Sequence, residues 1–163
     1  MDYSTLTGRL SIHLDSIQEG FEELSAQHSL EALAKQFALL LSGNFVTTDV
    51  NIYFRDNEQE KWQGIHIKKS SSKQVLDRLS IRDKFHVYEV DGAYPLAFTL
   101  PVPEEAMFVV LLGAKLNKID YSDFEKLSLQ MFAQLLANSY QAFLMHRKEK
   151  ELILPKRIPG KTA

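Results

Sequence analysis

Cysteine is absent from the 163-residue sequence. Without a thiol, the chain cannot form disulfide bonds, use a thiolate nucleophile, bind zinc through cysteine or hold a chromophore through a thioether link. The absence is consistent with a cytoplasmic protein, because structural disulfides are concentrated in secreted proteins. We therefore expect a cytoplasmic location and no thiol-dependent chemistry.

An excess of charge of one sign is also absent, since 19 lysine and arginine residues accompany 21 aspartate and glutamate residues and the net charge is −2. Nucleic-acid-binding surfaces neutralise phosphates with clustered basic residues. Long apolar runs are missing too: dense apolar stretches such as Phe37–Leu41 are far shorter than the ~20 residues of a membrane helix. The acidic start Met1-Asp2-Tyr3 does not resemble a signal peptide. We expect neither nucleic acid nor a membrane as a partner.

The composition that is present belongs to an ordinary soluble protein, with 45% apolar and 25% charged residues. The length fits one domain, or one domain with helical extensions, because domains usually contain about 100–200 residues. A chain of this size buries a sizeable core without disulfides or metal ions.

The first segment has the periodicity of an amphipathic helix. Its apolar residues recur at steps of three and four: Leu6, Leu10, Leu14, Ile17, Phe21 and Leu24. Gly20 interrupts the pattern and costs about 1 kcal/mol relative to alanine. The stripe predicts either a helix that lies on its own sheet or a helical seam between two chains, and it is too short to decide between them.

A second helix and a β-hairpin are predicted next. Ser29 stands at an N-cap position before a helix over Leu30–Ser42. Gly43-Asn44 provides residues that tolerate the left-handed backbone at a helix end. Alternation of apolar and polar residues then predicts a hairpin of two strands, Val50–Arg55 and Lys61–Lys68.

The middle of the sequence predicts a short helix and three further strands. Ser71 and Gln74 have the spacing of a capping box ahead of a short apolar run. The strand candidates are Phe85–Val90, Tyr94–Val102 and Ala106–Leu112. Because the links between them are short, neighbouring strands must be antiparallel.

The last helix is predicted from about Asp123 to Lys150, with a capping box formed by Ser122 and Glu125. Its apolar residues form two stripes: Phe124, Leu127, Met131 and Leu135 in one, and Leu129, Phe132, Leu136, Tyr140 and Phe143 in the other. One stripe is enough to cover a sheet, so the second requires another partner, either the first helix or a second subunit.

We therefore predict a homodimer in which helices of the two chains pack together. The interface residues selected by this hypothesis are Leu10, Leu14 and Ile17 from the first helix and Leu136, Tyr140 and Phe143 from the last. Residues 151–163, which include two prolines and a glycine, are predicted to form a basic irregular tail or linker.

Several segments resemble the GAF domain, a family of small-molecule sensor and signalling domains. They are Leu112–Asn117 followed by Tyr121–Glu125 at a strand-to-helix junction, Val50–Arg55 after a leucine-rich helix, and Thr99–Val102 at the end of a strand. The resemblance spans Ala26 to His146. It implies an α+β fold, with a central antiparallel sheet of five to six strands and long N- and C-terminal helices packed on one face. A PAS-like sensor is the nearest alternative, but its order of elements fits the two leading helices less well.

The corresponding organisation is an N-terminal helical extension over residues 1–25, a GAF-like domain over 26–150 and the tail over 151–163. Domains of this family sense cyclic nucleotides, other metabolites, tetrapyrroles or iron centres in a pocket on the sheet face opposite the helices. They control an output domain such as a kinase, cyclase or phosphodiesterase in the same protein.

The known ligands of the family can be compared with this sequence. Cyclic-nucleotide-binding members often carry an Asn-Lys pair, then a Phe, then an acidic pair. Asn117-Lys118 matches the start, Tyr121 stands near the Phe position, and Phe124-Glu125 replaces the acidic pair. Bilin attachment and methionine sulfoxide reduction in this family depend on cysteine, which is absent. The cofactor stays unknown, cyclic nucleotide and haem are not supported, and we expect no enzymatic activity.

Four residues are the candidates for a ligand site on the sheet face. By strand alternation, Asn51, Tyr53, Trp62 and His66 share the face away from the helices, and aromatic groups with a few polar ones suit a small ligand. Alternatively, Trp62 covers the sheet edge and Tyr53 is a cross-strand packing partner. His66 and His86 could meet as haem or metal ligands if their strands were neighbours, or His66 is a pocket-wall histidine with a local hydrogen bond. No histidine pair has the i, i+4 spacing of a helical metal motif, and we predict no metal site.

The sequence thus predicts a bacterial-type regulatory sensor that dimerises through its terminal helices and binds a small ligand on the sheet face. The basic segment Lys69–Lys84 could attract an anion or form a solvated surface. The alternative function is a GAF module without a ligand, kept as a dimerisation or relay element. The short Lys69–Lys84 segment and the incomplete match at Asn117-Lys118 favour that alternative.

Overall fold

The computed structural model of the chain describes residues 3–56, 61–90 and 92–157. Its elements, in chain order, are α1 (Tyr3–Ser25), α2 (Leu30–Phe45), β1 (Val50–Arg55), β2 (Gln63–His66), α3 (Ser72–Arg78), β3 (His86–Glu89), β4 (Leu96–Val102), β5 (Ala106–Leu112) and α4 (Asp123–Arg157). The order and type of these elements agree with the prediction. None of the helices in this described part combines the length and the hydropathy that a membrane span requires.

The five strands form one antiparallel sheet in the order β2-β1-β5-β4-β3. The central β5 pairs with β1 on one side and β4 on the other, so that Val110 lies opposite both Ile52 and Phe98. All seven residues of β5 are buried, and its continuous apolar sequence follows from cover on both faces. The predicted α+β fold with a central antiparallel sheet is confirmed.

Helices α2 and α4 cover one face of the sheet, and α1 packs on these two helices. A Cβ atom on Gly20 would lie 3.1 Å from a methyl group of Leu40 in α2 and 3.3 Å from one of Leu135 in α4. α1 and α4 run in the same direction, because His13 contacts Phe124 while Gly20 approaches Leu135. The inner side of α1 therefore rests on helices, whereas one of the two sequence interpretations placed it on the sheet.

The main core lies between the sheet and the layer formed by α2 and α4. Phe37 of α2, Phe108 of β5 and Phe132 of α4 are fully buried there. Full burial of such a side chain stabilises the fold by about 1.5–3 kcal/mol. Phe132 belongs to one of the two apolar stripes predicted for the last helix.

α2 begins as predicted and ends later than predicted. The Ser29 hydroxyl accepts a hydrogen bond of 3.1 Å from the amide three residues further on, which makes it the N-cap. The expected end at Gly43-Asn44 is wrong, because the helix continues to Phe45 and Val46 takes the left-handed conformation, with φ 56°. The buried Phe45 ring packs 5.3 Å from that of Phe132, and this tertiary contact outweighs the local preference of Gly43.

The two predicted capping boxes have different outcomes. At α3, Ser71 has helical backbone angles and its side chain makes no cap hydrogen bond, so that capping box is wrong. At α4, the Glu125 amide donates to the Ser122 hydroxyl at 3.1 Å, and the Glu125 carboxylate accepts from the Ser122 amide at 3.0 Å. The second capping box is confirmed.

α4 extends beyond its predicted end at Lys150 and reaches Arg157. The irregular tail predicted over 151–163 is therefore wrong for residues 151–157, while 158–163 lie outside the described residues. Glu151 and Leu152 are good helix formers. Pro155 removes one backbone hydrogen bond close to the helix end, where few following turns depend on it.

Candidate functional site

Asn51 is a hydrogen-bonding hub on the face of the sheet that α3 covers. Its amide nitrogen donates to the Asp49 carboxylate at 2.8 Å and to the Tyr94 hydroxyl at 3.2 Å. Its carbonyl oxygen accepts from the backbone amides of Lys68 and Lys69 at 2.7 and 3.0 Å. The side chain is fully buried and uses both donors and both lone pairs of its amide. Asn51, which lies on β1, therefore holds the segment that follows β2 in place.

Tyr94 and Asp49 extend this network towards the surface. The Tyr94 hydroxyl donates to Asp49 at 3.0 Å, and the Lys69 ammonium lies 3.3 Å from the same carboxylate. Burial, followed by the hydrogen bond and charge of Asp49, raises the pKa of Tyr94 to about 12. The Tyr94 hydroxyl is consequently a neutral donor at physiological pH.

Tyr53 belongs to a second apolar core between the sheet and α3. Its side chain is 3% exposed, and its hydroxyl shares a hydrogen bond of 2.5 Å with the Ser72 hydroxyl at the start of α3. The buried members of this second core are Tyr53, Leu76, Tyr94, Ala97, Val109 and Leu111. Side chains of the protein itself thus fill the part of the face on which a ligand pocket was predicted.

Trp62 lies at the margin of the second core, just before the edge strand β2. It is half-buried and packs against that core. The Arg55 guanidinium lies 4.5 Å from the centre of the Trp62 ring, which is a cation–π arrangement. This position agrees with the interpretation of Trp62 as cover for the sheet edge.

His66 lies on the opposite face of the sheet from the other three predicted ligand residues. The β1–β2 ladder contains a bulge, so that Tyr53 pairs with Gly64 whereas Ile52 pairs with His66. Directly paired residues point to the same face, and Ile52 belongs to the main core. The prediction that His66 shares a face with Tyr53 is wrong, because the extra residue in the bulge reverses the alternation.

The histidines of β2 and β3 do not meet. These strands are the two edges of the sheet, so the condition under which His66 and His86 could meet, neighbouring strands, is not fulfilled. Burial lowers the pKa of His66, and the charges of Lys68 and Lys35 lower it further. His86 packs edge-on against Tyr88, with ring centres 4.5 Å apart. Across residues 3–56, 61–90 and 92–157, no group of three His, Cys, Asp or Glu residues is placed to hold a metal ion.

The stripe of α4 predicted as a dimer seam faces the sheet of its own chain. Leu136, Tyr140 and Phe143 are 0%, 5% and 3% exposed. The Tyr140 ring lies 5.3 Å from Phe108 and 5.7 Å from Phe54. The prediction that these three residues form the subunit interface is wrong, because the sheet buries one stripe of α4 while α1 contacts the other.

α1 carries apolar side chains that stay exposed in the single chain. Leu10, Leu14 and Phe21 are 38%, 48% and 41% exposed, whereas Ile17 packs against the main core. Their spacing of four and seven residues puts the three on one side of α1, and we call them the α1 stripe. Two of the three predicted α1 interface residues, Leu10 and Leu14, thus lie at the surface.

The junction between β5 and α4 contains a buried ion pair that the sequence analysis missed. The Lys115 ammonium lies 2.9 and 2.7 Å from the two carboxylate oxygens of Glu125, and the side chains are 8% and 3% exposed. Burial alone would raise the pKa of Glu125, but the hydrogen bond from Lys115, those from Ser122 and the Lys115 charge lower it below its usual value. The Tyr121 hydroxyl donates to the Gly113 carbonyl at 2.7 Å. These contacts therefore hold the end of β5 against the start of α4.

His13 is a second residue that the sequence analysis did not single out. It is 5% exposed, and its ring centre lies 5.7, 5.8 and 5.5 Å from those of Phe45, Phe124 and Phe132. It anchors α1 on both α2 and α4. The available signal was its position four residues before Ile17, on the inner side of the helix.

Two clefts on the α4 side of the sheet have the volume of a small-molecule site. One, of about 390 Å³, lies beside the start of α4 and is lined in part by Leu96, Lys118 and Lys126. Lys126 forms an ion pair with Glu89 there. The other, of about 300 Å³, lies at the ends of the strands against the middle of α4. Neither cleft contains a residue of the predicted ligand site.

Comparisons with known proteins agree with this architecture. No protein-family model and no curated protein matches the sequence. A GAF domain from a Pseudomonas syringae pv. tomato protein described as a sensor histidine kinase matches with a TM-score of 0.61 and 18% identity, over 95% of this chain and 99% of that one. The GAF domain of a phosphoenolpyruvate-protein phosphotransferase from Coxiella burnetii matches with a TM-score of 0.55 and 15% identity, over 86% and 97%. The chain has the GAF fold.

The GAF fold alone does not assign an activity. A free methionine-R-sulfoxide reductase from Neisseria meningitidis, solved with its substrate, also matches, with a TM-score of 0.52 and 12% identity over 83% of this chain and 92% of that one. Identities this low show the fold, and function has to be argued from the residues of the site. The resemblance to the GAF domain in the sequence is confirmed at the level of the fold.

Proposed function

We propose that this GAF-fold chain is a regulatory signal-transduction module that forms a homodimer through α1 and has no catalytic activity. It acts in the cytoplasm and controls an output domain, such as a kinase, cyclase or phosphodiesterase, in the same protein. The observation that carries the proposal is the α1 stripe, because a helix with one side packed on its own domain presents a second apolar side to solvent.

The spacing along α1 supports a second copy of the chain as the partner of the stripe. Leu10, Leu14 and Phe21 are separated by steps of four and seven residues, a spacing that fits the a and d positions of a two-stranded helical seam, whereas Ile17 and Leu24 pack on the core of their own chain. In a symmetric dimer the same patch of each subunit covers the other. The apolar area of Leu10, Leu14 and Phe21 would then be removed from water, at about 25 cal/mol per Å².

The protein's own side chains fill the space between the sheet and α3. Their packing supports a signalling module that binds no ligand on this face of the sheet. Asn51 and Tyr53 have internal hydrogen-bond partners, and the space between them and α3 is occupied by Leu76 and Tyr94. We infer that Asn51 and Tyr53 hold α3 and the segment before it in place. A small ligand at this position would have to displace side chains of the core, at a cost of several kcal/mol.

The chemistry of the chain supports the absence of catalysis. It has no cysteine, whereas the sulfoxide reductases implied by the resemblance depend on that residue. Among the ion pairs of the described residues, the buried one, Lys115 with Glu125, joins the end of β5 to the start of α4.

Replacing Leu14 with glutamate is expected to dissociate the dimer. Sedimentation equilibrium of the unmodified chain at tens of micromolar should give twice the mass of 18.7 kDa, and Leu14→Glu should raise the dimer dissociation constant at least ~100-fold, because a carboxylate would be buried in the seam. Leu39→Glu is the matched control, since Leu39 is 56% exposed on α2 and should leave the dimer intact. A monomeric unmodified chain, or equal loss with both variants, contradicts the proposal.

A further inference from the structure

The cleft at the ends of the strands, named here the strand-end cleft, has no role in the proposed dimer. It lies on the side of the sheet away from α3, between the strand ends and α4, with a volume of about 300 Å³. Phe54 and Phe143 form apolar parts of its wall. It is therefore separate from the face on which the sequence predicted a ligand.

Tyr140 places an unpartnered hydroxyl group at this cleft. Its side chain is 5% exposed and lines the cleft, but its hydroxyl makes no hydrogen bond to another residue in the part of the chain that the structure describes. The hydroxyl is not among the described buried side-chain atoms that lack a partner, so it is open to solvent in the cleft. A bound molecule with a polar acceptor would replace solvent as the hydrogen-bond partner of this hydroxyl.

Charges of opposite sign lie on opposite walls of the strand-end cleft. Asp56, at the end of β1, and Glu104, between β4 and β5, come from the strand ends, whereas Arg147 comes from α4. Glu104 is also 2.7 Å from Lys148. Three of these charges act on the same hydroxyl: burial, with Glu104 and Asp56, raises the pKa of Tyr140 to about 12, whereas Arg147 lowers it.

We propose that the strand-end cleft binds a small zwitterion with an apolar body, which is the chemistry of an apolar α-amino acid. Its carboxylate would lie against Arg147 and accept a hydrogen bond from Tyr140. Its ammonium group would face the acidic wall at Glu104, and its side chain would pack on the rings of Phe54 and Phe143. Glu104 keeps its contact with Lys148, so the ammonium group would add a second cation to this acidic wall.

α4 contributes Tyr140, Phe143 and Arg147 to the cleft, and the same helix contacts α1. A ligand in the cleft would therefore contact the helix on which α1, the helix of the proposed dimer, packs. The binding itself does not depend on dimerisation, so the two proposals fail or succeed separately.

The test is calorimetric titration of the purified chain with L-phenylalanine and with two analogues that each lack one charge. 3-Phenylpropionate lacks the ammonium group and 2-phenylethylamine lacks the carboxylate. L-phenylalanine is expected to bind saturably, and each analogue should bind at least ~10-fold more weakly, because one wall then loses a charge-assisted hydrogen bond. L-leucine in a parallel titration shows whether an aliphatic body also fits.

Two variants locate the binding. Tyr140→Phe keeps the ring and removes only the hydroxyl, and Arg147→Gln removes the positive charge; each should weaken L-phenylalanine about 10-fold without changing the dimer mass. Arg82→Gln, at an exposed arginine before β3, is the control and should bind like the unmodified chain. The proposal is overturned by the absence of saturable binding of both amino acids up to about 10 mM, by equal binding of the amine, or by unchanged binding in both cleft variants.

Discussion

Replacing Glu125 with glutamine is expected to lower the free energy of unfolding by about 3 kcal/mol, because it breaks a buried ion pair and leaves one charge without its partner. Both oxygens of the Glu125 carboxylate contact the Lys115 ammonium, within 2.9 Å. The same carboxylate accepts hydrogen bonds from the amide and the hydroxyl of Ser122. Glutamine keeps the size of the side chain but has neither the charge nor a second acceptor.

Urea denaturation measures this loss, and two further variants interpret it. Glu22→Gln, at an exposed position of α1, should change stability by less than about 0.5 kcal/mol. The double variant Lys115→Met with Glu125→Leu should be more stable than Glu125→Gln, because it leaves no unpaired buried charge. A Glu125→Gln protein as stable as the unmodified chain would show that the pair is not held in the folded state.

The same pair should make stability fall in acid. The folded state lowers the pKa of Glu125 below 4.5, so its contribution is present above that pH and is lost as the pH falls through the folded pKa. The difference in unfolding free energy between the unmodified chain and Glu125→Gln should therefore shrink as the pH drops from about 6 to below about 4. A constant difference across that range contradicts the assignment.

Replacing Asn51 with alanine is expected to cost about 3 kcal/mol and to release the segment that leads into α3. The variant removes four hydrogen bonds and leaves the backbone amides of Lys68 and Lys69 without their acceptor. Each unsatisfied buried group costs about 1–3 kcal/mol. Deuterium exchange at these two amides should accelerate by more than the fall in global stability alone explains.

The exposed Asn138 on α4 supplies the control, since Asn138→Ala should stay within about 0.5 kcal/mol of the unmodified chain. The comparison separates a structural role of Asn51 from a role in ligand binding. If Asn51 served only to bind a ligand, its replacement by alanine would not lower the free energy of unfolding. Unchanged stability and unchanged exchange in Asn51→Ala would therefore contradict the role inferred for it.

The sequence predicted the fold well where local periodicity and tertiary environment agree. β1 and β5 have their predicted bounds, Val50–Arg55 and Ala106–Leu112. Where the predicted bounds or faces were wrong, contacts between residues far apart in the sequence decided the structure. The bulge opposite Ile52 moved His66 to the other face, and an added residue in a short strand has no local signature. The burial of Phe45 extended α2 past the glycine that was expected to end it.

The prediction of the interface failed in part for a related reason. Two apolar stripes on α4 require two partners, but periodicity does not say which partner covers which stripe. The sheet covers Leu136, Tyr140 and Phe143, and α1 approaches the other stripe at Leu135. At the sheet face, alternation placed Asn51 and Tyr53 correctly, but their partners come from the segment after β2, whose path the pattern does not specify.

Disulfide cross-linking of single-cysteine variants tests the central claim, dimerisation through the α1 stripe, most directly. The chain has no cysteine of its own, so each introduced thiol reports on one position. In a symmetric pairing of parallel α1 helices, the two copies of position 14 lie close enough for a disulfide, which needs Cα atoms about 4.4–6.8 Å apart. Under mild oxidation Leu14→Cys should form a covalent dimer, whereas Leu39→Cys, at an exposed position of α2, should stay monomeric on a denaturing gel. Equal cross-linking of the two variants, or none at position 14, would contradict the account.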